Sequence, residues 1–175
     1  MKEVRYEGRD VRRVITGMVM DRTVCARIAD KWPREGLFDS TAANLVGGWC
    51  VEHCRRYGTP PGRNIQAVYE SWSAGRNGDD ETMTGMVDRL MAEASRTFEQ
   101  DESENLAPEY ILDLAAEVFD AAKIRRSFEA VEADLESNNL AAARQHLSEL
   151  RLVELGIGSM IEPTEELEPW RQAWE

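Results

Sequence analysis

The chain is 175 residues long, 42% hydrophobic, and carries a formal net charge of −12, which allows one good core, or one core plus a helical appendage. Charges interrupt its apolar stretches every few residues, so nothing approaches a membrane span, and Met1-Lys2-Glu3-Val4-Arg5 has no apolar run of the kind a secretory signal needs. Three cysteines cannot all pair and sit in no spaced framework, so a reducing, cytoplasmic setting is expected.

The charge is unevenly spread. Residues 1–78 hold 13 basic and 9 acidic residues, whereas residues 79–175 hold 8 basic and 24 acidic ones. An acidic C-terminal half repels phosphate, so direct DNA binding is not expected. The basic residues Arg9, Arg12, Arg13, Arg22 and Arg27 are interleaved with acids and read as ordinary helix surface.

The elements read as helices with punctuation. Val11, Ile15, Met18 and Val19 recur at helical spacing, giving a first helix over 8–20. Asp21 can cap a short second helix carrying Val24, Cys25 and Ile28, which ends before Pro33. Asp39 or Ser40 caps a third helix to Tyr57, with Val46, Trp49, Cys50, His53 and Tyr57 as its inner face, and Gly58-Thr59-Pro60-Pro61 stops it. A fourth helix over about 64–74 points Ile65, Val68, Tyr69 and Trp72 inward. A fifth, over 81–97, carries Met83, Met86, Val87, Leu90 and Met91 on one face, which is adaptable core. Residues 99–105 contain no apolar side chain and mark a solvated linker.

Residues 108–136 form the longest helix, with Ile111, Leu114, Val118, Ala121, Ile124, Phe128, Val131 and Leu135 in a stripe of three- and four-residue steps. Ser137-Asn138-Asn139 is a tight turn, with Asn138 suited to a left-handed cap and Asn139 to an N-cap. Leu140, Ala143, Leu147 and Leu150 then stripe a returning helix to about 155. The expected fold class is all-α: a compact multi-helix head (residues 1–98), an acidic linker (99–107), a long antiparallel helical hairpin (108–155) and an acidic C-terminal tether (156–175). The first hairpin helix outruns its partner, so its surplus stripe must pack on the head, on another chain, or on both. Leu114, Val118, Phe128, Val131, Leu135, Leu140, Leu147 and Leu150 are therefore the candidate oligomerisation and partner-binding residues.

Chemistry is sparse. There is no Gly-x-x-x-x-Gly-Lys-Ser/Thr loop, no Gly-x-Ser-x-Gly and no His-Glu-x-x-His, so neither catalytic residues nor a cofactor are expected. The one constellation with ligand chemistry is Cys50, His53 and Cys54, which lacks a fourth ligand unless Cys25 supplies it. Residues of the inner face beside Trp49 and Tyr57 are the plainer reading. Glu129, Glu132, Asp134 and Glu136 form a solvated face of the hairpin.

The order of these elements resembles the N-terminal domain of DnaB-like replicative DNA helicases, particularly of the phage or prophage kind, from about residue 8 to 155. The likeness rests on the opening helix ending at Asp21 (Val14-Ile15-Thr16-Gly17-Met18-Val19-Met20-Asp21), on Gly36-Leu37-Phe38-Asp39 before a helix start, and on Tyr57-Gly58-Thr59-Pro60-Pro61 after it. Two short helices, an acidic linker and a hairpin opening near Tyr110-Ile111 complete it. Gly47-Gly48-Trp49 and the nearby cysteines depart from the pattern. The resemblance implies a non-catalytic collar above an ATPase ring, self-assembly into a dimer or larger ring through the hairpin, contacts with primase or a helicase loader, and a linker to a motor domain for which the stretch ending at Glu175 looks like the start. Two other readings stay open: a freestanding helical adaptor, and a Cys/His metal-binding helical protein.

Overall fold

A computed structural model describes residues 8–74, 81–101 and 107–155. The described residues form seven helices and no strand: α1 (Arg9–Met20), α2 (Arg22–Lys31), α3 (Thr41–Tyr57), α4 (Asn64–Ala74), α5 (Glu81–Asp101), α6 (Pro108–Glu136) and α7 (Leu140–Glu149). The protein is all-α.

Local chemistry sets most boundaries. Asp21 leaves α1 in an extended conformation, and its carboxylate accepts the Val24 N–H at 2.9 Å, so one residue ends α1 and caps α2. Trp32, held extended before Pro33, ends α2. The Arg55 guanidinium then donates to the carbonyls of Ala29 (2.7 Å) and Trp32 (3.3 Å), satisfying acceptors that the helix end would leave open. Ser40, not Asp39, caps α3 through the Ala43 N–H. Gly58 closes α3 in the left-handed conformation (φ 70°), its N–H donating to the Cys54 carbonyl. Asn138 takes φ 55° and the Asn139 side chain accepts from Ala142 N–H, which fixes the turn from α6 to α7.

The core is built on α1, where Val14, Ile15 and Met18 are fully buried, surrounded by α2, α3, α5 and α6. The inner face of α3 differs from the one read in the sequence. Ala43, Val46, Gly47, Cys50, Val51 and Cys54 face inward, while Tyr57 is largely exposed and Trp49 and His53 are half-buried beside α4. Contact with α1, α2 and α5 selects the 43/46/47/50/54 line, leaving the aromatic line at the side. On α4 only Ile65 is buried, and Val68, Tyr69 and Trp72 are half-covered, with Trp72 ringed by Trp49 and Tyr69. On α5 Val87 is fully buried, Met83, Leu90 and Met91 pack from its sides, and Met86 faces outward.

Gly47 is where α3 closes on the Trp32 ring. A Cβ there would lie 2.5 Å from Trp32 Cη2, whereas a Cβ on the next residue, Gly48, meets nothing. Gly47→Ala is therefore expected to destabilise the fold by about 1–3 kcal/mol through overpacking. Gly48→Ala should stabilise it by up to about 1 kcal/mol through helix propensity. Thermal melts of the two single variants check the opposite signs.

The core does not stop at the linker read at 99–107. Residues 99–101 belong to α5, residues 102–106 lie outside the described residues, and the N-terminal half of α6 runs straight back into the head. Ile111, Leu112, Leu114, Ala115, Val118 and Phe119 are buried in one cluster with α1, α2 and α3. Phe119 meets Phe38 edge-on with centroids 5.0 Å apart, and Trp32 at 6.5 Å. Farther along α6, Arg125 pairs with Asp39 and Arg126 donates to the Gly36 carbonyl at 3.3 Å, tying the helix to the loop before α3. α7 ends at Glu149, short of the expected 155, and residues 150–155 run extended beside α6. Two tertiary hydrogen bonds hold them there: Val153 N–H to the Asp120 carboxylate (2.6 Å) and Arg27 to the Leu155 carbonyl (3.3 Å). No helix among the described residues is long and apolar enough to cross a membrane.

Candidate functional site

The structure divides the eight candidate assembly residues into two groups. Leu114 and Val118 are core residues of the head and unavailable to any partner. Phe128, Leu135, Leu140 and Leu147 are 62%, 52%, 53% and 53% exposed, and Val131 and Leu150 are half-buried. The stripe on α6 thus changes role along its length. Its first half completes the head, and from Ile124 onward it turns outward, with Phe128, Val131 and Leu135 continuing the same ridge at helical steps.

α7 lies against this outer half. Ala143 is buried against α6, and Leu140 and Leu147, three residues before it and four after, emerge beside α6 rather than beneath it. His146 Nε2 lies 3.4 Å from an Asp134 carboxylate oxygen across the two helices. Two facing helices of this length bury only a small area. The small Ala143 lets them approach, which leaves the larger leucines and Phe128 at the margin. Covering each half-exposed side chain would contribute roughly 1 kcal/mol, so this face can support association without being needed for the fold. Among the described residues nothing covers it.

The Cys/His constellation separates on folding. Cys25, Cys50 and Cys54 are all buried and reduced, with the Cys25 thiol 3.5 Å from the Cys50 carbonyl. His53 turns away from them: its Nδ1 meets the Thr59 carbonyl at 3.0 Å and its ring packs on Tyr57. The i, i+3, i+4 spacing puts all three near one face, but the core takes Cys50 and Cys54 and leaves His53 half-buried at its margin. Cys25, which α2 brings in from far along the sequence, is the residue that joins the two thiols. No group of three or more His, Cys, Asp or Glu able to hold a metal occurs among the described residues.

Burial pushes the Cys50 thiol up to about 12, and burial followed by the neighbouring Cys50 and Cys54 pushes Cys25 higher still. Because thiolate is the reactive form, these thiols are expected to be inert in the folded protein. At pH 8 a disulfide reagent should leave Cys25 and Cys50 unmodified until denaturant unfolds the chain, and mass spectrometry of the labelled peptides checks it. The raised values also fix a sign. Stability is unaffected at neutral pH and falls as pH rises past about 8.5, where unfolded thiols ionise and the buried ones do not.

A second surface feature escaped the sequence reading: an aromatic recess between α3 and α4, with Trp49, His53, Tyr57 and Trp72 on its walls. Its residues come from two helices whose relative placement no local periodicity reports. No family model, no curated protein and no solved structure matches this chain.

Proposed function

We propose that this chain is a non-catalytic assembly domain, of the kind that forms the N-terminal collar of a DnaB-like replicative DNA helicase. The observation that carries the reading is the outward turn of the α6 stripe. A helix whose first half is committed to the head core presents Phe128 and Leu135 on its second half, flanked by Leu140 and Leu147 of α7. That arrangement gives a rigid base and an apolar ridge, which suits subunit pairing better than ligand chemistry. The order of elements supports the helicase assignment in particular, through the helix end at Asp21, the Gly36-Leu37-Phe38-Asp39 entry to α3 and the Tyr57-Gly58 exit. On this reading a second copy covers the ridge, primase or a loader binds the assembled collar, and a motor domain elsewhere in the protein supplies ATP hydrolysis.

A freestanding adaptor with the same helices is the competing reading, favoured by the same ridge if its occupant is a different protein. The coding sequence after Glu175 discriminates. Continuation into a Gly-x-x-x-x-Gly-Lys-Ser/Thr loop supports the collar, and a stop codon at that point supports the adaptor.

A further inference from the structure

A cleft of about 780 Å³ opens between the end of α2, the middle of α6 and the extended segment after α7. Lys31, Lys123, Arg126 and Arg151 line it, with His146 on the α7 side, against only two carboxylates, Glu35 and Glu154. This runs against the trend of the chain, whose net charge is −12 and whose residues 79–175 are three-quarters acidic among the charged ones. The chain has three lysines, and two of them are here. Arg126 and Arg151 spend some of their donors on the carbonyls of Gly36, Ser148 and Leu150, which fixes the guanidinium groups in the wall without neutralising them. Lys31 has only the exposed Asp30 nearby, at 3.6 Å, and Lys123 makes no ion pair among the described residues. Apart from Ser127, the rest of the wall is apolar or glycine, chiefly Pro33, Leu37, Leu152 and Val153. Such a cleft is a local positive potential that an anionic chain with apolar side chains would lower.

We propose that this cleft binds residues 162–175 of the same chain. That segment holds five glutamates and one arginine, interspersed with Leu167, Trp170 and Trp174, so it offers both the carboxylates that the cations lack and the apolar groups that the rest of the wall accepts. The connection favours it as well. Residues 151–154 are themselves part of the cleft wall, and the six residues 156–161 that follow Leu155 reach up to roughly 20 Å. Attachment at that distance makes the segment's effective concentration on the order of millimolar, so a modest affinity suffices. A free phosphate dianion fits less well, because Glu35 and Glu154 repel a compact charge and half the wall is apolar, whereas carboxylates spaced along a peptide can straddle those two groups. The proposal stands independently of the collar reading.

Zero-length carbodiimide cross-linking of the full chain tests it, because that reagent joins a lysine amine to a carboxylate only where the two touch. Peptide mass spectrometry should find amide bonds from Lys31 or Lys123 to Glu165, Glu166 or Glu168. A mixture of light and heavy-isotope chains should place them within one molecule. Their yield should fall about tenfold between low salt and about 0.5 M salt, where screening removes the attraction. The proposal is overturned if these lysines couple only to Asp30, Glu35 or Glu154, if their bonds to the segment form only between chains, or if the yield ignores salt. It is equally overturned if inorganic phosphate shifts the Arg126 side-chain resonance while the segment gives no cross-link.

Discussion

Replacing Phe119 with Ala is expected to lower the melting temperature by roughly 10 °C, through a loss of about 3–5 kcal/mol. Phe119 is fully buried and joins three parts of the chain: its own helix, Phe38 in the loop before α3, and Trp32 at the end of α2. Truncation leaves a void among two other large rings that are already fixed by their neighbours. Phe38 is held through its backbone, its N–H donating to the Asn44 side chain at 2.8 Å and its carbonyl accepting from the same amide at 2.7 Å. Trp32 is wedged over Gly47. Neither can swing in to fill the space, so little of the cavity collapses and the loss sits toward the upper end of the range. Differential scanning calorimetry on the single variant checks it. A shift of only a degree or two would mean that α6 is not seated in the head as described.

The second large effect is on assembly and should leave the fold alone. The double variant Phe128→Glu and Leu140→Glu is expected to weaken self-association on the order of 100-fold or more, because each carboxylate would have to be desolvated in the covered face. Its melting temperature, measured where the unmodified chain is also monomeric, should move by only a few degrees. Both side chains are more than half exposed, glutamate is a good helix former at position 128, and at 140 it stands in the first turn of α7, where negative charge favours the helix N-terminus. Val118, on the same sequence stripe, would give a misleading answer: an acid there lies in the core and would unfold the head, losing association for an unrelated reason. Sedimentation of the double variant beside the unmodified chain separates the two effects.

What the sequence disclosed and what it withheld follow one division. Helix ends were legible wherever a local group decides them: Asp21, Trp32-Pro33, Gly58 and Asn138-Asn139 act on neighbours within four residues. The bounds of α6 were legible for the same reason, from Pro108 to the turn at Ser137. The faces were not. Apolar residues cover a broad face of the first half of α6, opposite Glu109, Asp113 and Glu117, so the stripe read through Ile111, Leu114 and Val118 hid a second buried line through Leu112, Ala115, Phe119 and Ala122. Periodicity cannot rank two faces when both are apolar. The end of α7 was misplaced because Leu150, Leu152, Val153 and Leu155 carry no breaker, and what extends them is long-range: the Asp120 carboxylate and the Arg27 guanidinium take backbone groups that another helical turn would have used. The candidate site shows the same limit. The outer residues Phe128, Leu135, Leu140 and Leu147 were identifiable as apolar and periodic, but only packing against the head removes Leu114 and Val118 from the set.

If the outer face of α6 and α7 is an assembly surface, the solution mass of this chain, by light scattering across a concentration series, will show it. The mass is expected to rise from that of a 19.9 kDa monomer toward a dimer or larger closed species as concentration increases. A mass that stays at 19.9 kDa throughout, with the helices intact by circular dichroism, would contradict it.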